Sequence, residues 1–392
     1  MLLFFPKGAN EMNEKVIIIG GGVAGLAMSL FLKKANIESV VYEQAKAFGK
    51  VGGHFVMHPS GIAMMELLGL GEELMNNSHA LTDFAVLDKD NNSVFGEMEQ
   101  ELEGELADMP VFVNITRYNL IDVLYKEVQK QGIDVQFDKR LKQFMQDTEQ
   151  VVVEFEDGSE AIGTILIGAD GVRSKTRQQL FPEKELHYLG KTGVYAIVEN
   201  EKLGELQEYF SQDAALMYFH DNFNFFVAKH HPTEEAISWS IITTEPEQPS
   251  VAAFDEKPIK QIRKELSERF AGWEMPIQQL VESTDHLIAK SLFRIDLMQQ
   301  YSVGRAILIG DALHTADPNA GMGTTLGLED AMVLAKLLRD NDYVRAFAQF
   351  QEARKDRAEK VYHSANLLES LELENADDYA LFDEGIDVSW EK

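Results

Sequence analysis

Four residues near the start of the chain, Gly20, Gly22, Gly25 and Glu43, form a set that can hold a pyrophosphate and a ribose. The glycines stand in GxGxxG order within KVIIIGGGVAGLAMSLFLKK, an apolar strand that runs into an apolar helix. Gly20 lets the backbone turn. Gly22 removes a side chain so that a pyrophosphate can approach the helix N-terminus, where free amide groups and the helix dipole favour an anion. Gly25 lets helix and strand pack closely. Glu43, about 20 residues further on at the end of SVVYE, can accept a ribose hydroxyl. Three glycines alone are weak evidence; with the strand, the helix and the acid around them they point to a bound adenine dinucleotide.

Such groups meet only if the chain builds an open, doubly wound sheet, whose ligands lie beyond the carboxyl ends of its strands. The βαβ unit over 15–43 opens that sheet, and TILIGADG and RAILIGDA read as buried strands returning to it. Thr116 is placed to cap a helix over RYNLIDVLYKEVQKQ, which Gly132 stops. RLKQFMQD and QVVVEFEDG alternate like a hairpin. Between 181 and 290 the character changes to strands rich in aromatic and β-branched residues, followed by a helical stretch. The predicted fold is α/β: a Rossmann-like, doubly wound domain over 12–180 and 291–343, with a β-rich substrate domain over 181–290 inserted into it. Residues 344–392 are expected to form a C-terminal helix and an acidic tail that frays, and 1–11 to be an extension without a structural role.

Four separated segments resemble one family. They are GGGVAG; TRYNL, with Arg117; ILIGADGVRSKTR, with Asp170, Gly171, Ser174 and Arg177; and ILIGDALHTADPNAGMGTTLGLEDA, with Gly310, Asp311, Pro318, Gly321 and Gly323. Together they are similar to the FAD-dependent aromatic monooxygenases of the p-hydroxybenzoate hydroxylase type, over 15–338. The resemblance implies FAD as the cofactor of the doubly wound domain and NAD(P)H as co-substrate. It implies hydroxylation of a small aromatic or polycyclic substrate through a flavin C4a-hydroperoxide. Asp311 would accept from a ribityl hydroxyl, Arg117 would offer a cation to the phosphate or ribityl region, and Asp170 would support FAD and nicotinamide together. Gly321 and Gly323 would admit a close backbone approach. The helix after them would aim its positive end at the isoalloxazine, and Pro318 would shape the loop beside the ring.

Plainer uses stay open for several of these residues. Asp311 can be a strand-end cap, Asp170 a turn anchor with Arg177 as partner, and Arg117 a surface charge. Phe219, Phe223 and Phe225 can line a substrate site between the domains or simply fill a core. His314 reads as structural, and His230 and His231 lack carboxylates at metal-like spacing, so neither a catalytic residue nor a metal is predicted. In tetracycline-inactivating relatives an acidic residue follows the loop's glycine pair; GGHFVMH has none, so that substrate is not expected here. A non-catalytic flavin-fold binding protein and an FAD-dependent reductase or dehydrogenase are the rival readings.

Composition narrows the field. A formal charge of −29 with no run of Lys or Arg argues against nucleic acid and against stable association with anionic membranes. With no cysteine, disulfides and thiolate chemistry are excluded, which fits a cytoplasmic protein.

Overall fold

The computed structural model describes residues 15–49, 53–93, 110, 112–210, 213–220, 223–231, 236–248, 259–273, 275–315, 317–318, 321–370 and 387–391. Its first strand, β1 (Val16–Ile19), is VIII and buried along its whole length, the pattern of a central strand covered on both faces. Ile17 and Ile19 enter one core while Val16 and Ile18 enter the other. The sheet around it runs β17 (Ser302–Val303), β18 (Ala306–Leu308), β11 (Leu166–Gly168), β1, β2 (Ser39–Tyr42) and β7 (Asp134–Gln136). All neighbours pair in parallel except β17 with β18.

Helices α1 (Val23–Lys34), α2 (Pro59–Leu67), α3 (Gly71–Asn76) and α4 (Arg117–Lys130) pack on one face, together with the long helix Gly323–Asp340. The Thr116 hydroxyl caps α4 by accepting from Asn119 N at 3.1 Å, as its position predicts. A three-stranded antiparallel sheet covers the other face: β8 (Leu141–Gln146), β9 (Val151–Phe155) and β10 (Glu160–Gly163). The short helix α5 (Lys175–Leu180) follows β11.

The β-rich part is a six-stranded sheet ordered β16 (Leu287–Arg294), β12 (His187–Val198), β15 (Ile237–Thr244), β14 (Phe223–Lys229), β13 (Ala214–His220) and β5 (Asp83–Leu87). It draws in β5, which lies far upstream and pairs in parallel with β13, and it extends through Arg294. Helices Ile259–Arg269 and Ile277–Glu282 pack on one face around Trp239, Phe225 and Phe270. Against the other face lies a small sheet of β3 (His54–Met57), β6 (Phe112–Thr116) and β4 (His79–Leu81).

The chain closes with helix Tyr343–Ser370, packed on the Gly323 helix. Residues 387–391 do not fray as expected. Val388 is buried, and the Trp390 ring stacks on Phe31 of α1 at 5.7 Å. The rest of the acidic tail, 371–386, and the extension 1–14 lie outside the described residues.

Candidate cofactor and substrate site

Because β1, β11 and β18 are adjacent and parallel, they end on the same edge, with Ile19, Gly168 and Leu308 in register. The turns that follow carry Gly20, Asp170 and Asp311. Three segments far apart in the chain therefore open onto one groove beyond the strand ends.

The first turn is tight. Gly20 adopts φ +107°, and a Cβ there would stand 2.3 Å from the Ala169 carbonyl oxygen. A Cβ at Gly25 would stand 1.9 Å from the Gly20 carbonyl oxygen. Gly22 is different: a Cβ there would meet no protein atom within 4 Å. Among the described residues, no atom crowds that position. A ligand seated on the N-terminus of α1 would call for a glycine there, and an adenine dinucleotide fits it. Glu43 is oriented by two backbone amides, with Oε2 accepting from Gly21 N at 2.7 Å and Oε1 from Ala45 N at 2.8 Å. A carboxylate has acceptor sites beyond those two.

Asp170 is committed to its own turn. It accepts from the Ser174 hydroxyl at 2.5 Å and from Thr176 N and Oγ1 at 3.0 and 3.1 Å. Burial pushes its carboxyl above the usual range, against these hydrogen bonds. Arg177, the partner Asp170 would have in the plainer reading as a turn anchor, makes its hydrogen bonds elsewhere. Its guanidinium donates to the carbonyl oxygens of Val172 (2.6 Å) and Ala312 (2.9 Å) and, more weakly, of Asp311 (3.5 Å). With 1 % of its surface exposed, Arg177 is an internal tie between the second and third turns. The sequence signal for this was present in SKTR, but a carbonyl-binding role is not readable from residue type.

The third turn is a short 3-10 segment, Gly310–Ala312. Asp311 is exposed, and desolvation by the protein atoms around its carboxyl raises it against the pull of Arg117, His314 and Arg177. Its Oδ1 lies 3.5 Å from where a Gly323 Cβ would be, at the start of the 18-residue Gly323 helix. The Gly321 amide closes onto the Pro318 carbonyl at 2.9 Å, and Pro318 is exposed on that loop. Arg117, also exposed, begins α4; among the described residues its guanidinium has no hydrogen bond or ion pair. All ten predicted residues are thus placed. Those of the three turns, Arg117 and the start of the Gly323 helix converge, and among the described residues the hydrogen bonds of the Asp170 side chain lie within its own turn.

The β-rich sheet meets the Gly53 segment and the Pro318 loop through β12. Tyr195 lies where two glycines make room for its ring: a Cβ at Gly53 would stand 2.7 Å from the ring, and one at Gly193 2.8 Å from its hydroxyl oxygen. Burial, aided by Asp317, pushes its hydroxyl up to about 12, so at neutral pH it is a hydrogen-bond donor. Lys191, also on β12, forms a buried ion pair with Asp317 at 2.8 Å, joining the sheet to the Pro318 loop. None of these residues was expected from the sequence; Gly193 and Tyr195, two apart on one strand face, were the available signal. Phe223 and Phe225, by contrast, are core, packed on Phe270 and Trp273 or Trp239. The side chain of Phe219 lies outside the described set.

Comparison with known proteins agrees with this fold. The sequence profile of a family described as FAD binding domain matches residues 13–365. The aurachin C monooxygenase/isomerase of Stigmatella aurantiaca is 29 % identical over 350 residues, covering 88 % of this chain and 85 % of that protein. The 6-hydroxynicotinate 3-monooxygenase of Bordetella bronchiseptica is 26 % identical over 364 residues, covering 89 % and 90 %. Among solved structures, Klebsiella pneumoniae HpxO complexed with FAD and uric acid superposes with a TM-score of 0.76 at 23 % identity, covering 93 % of this chain and 92 % of that one.

Proposed function

Since the chain belongs to the FAD binding domain family, we propose that it is an FAD-dependent monooxygenase that uses NAD(P)H and dioxygen to hydroxylate a small aromatic, heteroaromatic or polycyclic substrate. The relatives at 29 % and 26 % identity carry monooxygenase names, which supports the reaction class. The observation that carries the reading is the shared edge of β1, β11 and β18, with Gly22 open to a ligand and Asp311 beside the start of the Gly323 helix.

When bound, FAD supplies the redox chemistry that activates oxygen. This chain's own residues do the rest. The amides at the start of α1 hold the pyrophosphate, and Glu43, fixed by Gly21 and Ala45, accepts from the ribose. Asp311 accepts from the ribityl chain, and Arg117 offsets the negative charge gathered there. Gly321 and Gly323 would bring backbone to the ring, and the positive end of the Gly323 helix would favour negative charge there. Asp170 acts by keeping the second turn in shape. Tyr195 and the Lys191–Asp317 pair give the substrate side its polar contacts and help exclude water.

The test is oxygen uptake coupled to NAD(P)H oxidation by the yellow holoprotein over a panel of hydroxylated aromatics and N-heteroaromatics. Substrate-dependent uptake with one labelled oxygen atom from ¹⁸O₂ in the product is expected. Turnover that puts no label in any product would reject monooxygenation in favour of a reductase.

A further inference from the structure

Asp330 and Glu329 stand side by side on the Gly323 helix, with 0 % and 1 % of their surface exposed. One oxygen of Asp330 accepts from Gly310 N at 2.9 Å and lies 3.3 Å from His314 Nε2. Gly310 and His314 bracket Asp311 in the chain. The other oxygen is held by Arg354 Nε at 2.7 Å, from helix Tyr343–Ser370. Arg354 spends a second nitrogen on Glu329, also at 2.7 Å. Arg357, one turn on, grips Glu329 through Nε and a terminal nitrogen at 3.1 and 2.7 Å, and Ser60 of α2 donates to the same carboxylate at 2.9 Å. Burial would neutralise Asp330, but His314, Arg354 and the Gly310 amide hold its carboxyl down to about 2. A charge buried this deeply keeps its place only while its partners do.

We propose that Arg354 is a positioning residue for flavin binding: by fixing Asp330 it fixes the Gly310 amide and His314, and so the direction in which the Asp311 carboxylate faces the groove. The last long helix thereby takes part in cofactor binding through two intervening residues, opposite the tie that Arg177 makes to the carbonyls of the same turn. Arg357 supplies the control, because it serves the same buried pair through Glu329.

The inference rests on Asp311 facing the flavin, so Asp311→Ala runs beside it. Apoprotein is titrated with FAD by quenching of flavin fluorescence, and the melting temperature is measured without FAD. Arg354→Gln is expected to raise the FAD Kd about tenfold, Arg354→Lys to recover most of that affinity, and Arg357→Gln to lower the melting temperature comparably while leaving Kd within about twofold. Should Arg354→Gln not fold, Asp330→Asn replaces it: it keeps an oxygen for Gly310, lets go of the charge pair, and is expected to weaken FAD several-fold. Wild-type affinity in Arg354→Gln or its replacement, or equal loss of affinity in Arg354→Gln and Arg357→Gln, overturns the proposal. If Asp311→Ala itself binds FAD normally, the reading of the site fails first; if only Arg354→Gln does, the site stands and this inference falls.

Discussion

Gly22 and Gly25 look interchangeable in a sequence and are opposite in the structure. A methyl at Gly25 drives into the Gly20 carbonyl, 1.9 Å away, and backbone there cannot yield without moving β1 or α1. Gly25→Ala is therefore expected to destabilise the apoprotein by about 3 kcal/mol, the upper end of overpacking penalties, measured by urea denaturation. Gly22→Ala meets no protein atom within 4 Å. Its apoprotein is expected to unfold like wild type while its FAD Kd rises about tenfold or more. Equal stability loss in the two variants would mean that Gly22 serves the fold and not a ligand. These glycines were legible in the sequence because the absence of a side chain, at fixed spacing after a strand, is the function. Tyr195 was not, because its seat is made by Gly53 from another part of the chain. Arg177 was visible within its motif, but its targets are carbonyl oxygens, which every residue has.

Among the elements, the contact between the small sheet and the six-stranded sheet has a polar centre. His54 on β3 shares Nδ1 with Asn114 of β6 at 3.2 Å and stacks on Phe226 at 5.2 Å. Asn114 donates to the Lys229 carbonyl at 2.7 Å and to Ser238 at 2.8 Å, across to β14 and β15. Burial lowers His54 to about 4, and burial with the nearby His54, His231 and His79 lowers His230 to about 3. Both histidines are thus neutral when folded and take up protons only on unfolding. Stability is fully present above the unfolded value near 6.5 and falls as pH drops toward the folded values, because the unfolded chain then binds more protons. Between pH 7 and pH 5 each contributes a loss of about 2 kcal/mol. Urea midpoints should fall over that range, and His54→Gln with His230→Gln should flatten the slope; an unchanged slope would place the acid sensitivity elsewhere. The strands that build this contact were readable from β-branched and aromatic runs. Their partners were not, since β5 joins β13 from far upstream and no local pattern encodes such a pairing.

At the scale of the whole molecule, a charge of −29 makes compaction work against self-repulsion, and three of the 36 Lys and Arg side chains hold the segment 387–391 against the fold. Lys34 and Arg339 lie over the two-ring face of Trp390, at 5.7 and 4.8 Å from the ring, while Arg339 also donates to the Trp390 carbonyl at 2.8 Å. Lys336 takes Asp387 at 3.1 Å and the Ser389 carbonyl at 2.9 Å. The end of the chain is thereby pinned across α1 and the Gly323 helix, the two helices whose other ends face the cofactor groove. Composition predicted fraying because it registers acidity and not the cations waiting on two distant helices. The contact with Phe31 lies nine residues from Gly22, about 13 Å along the helix, so stability and binding should separate. Trp390→Ala is expected to cost about 2 kcal/mol in urea denaturation, from lost apolar burial and two cation–π contacts, while the FAD Kd stays within about twofold. A variant with wild-type stability would show that the segment is not docked in solution; one that loses FAD affinity in step with stability would show that α1 carries strain from one end to the other.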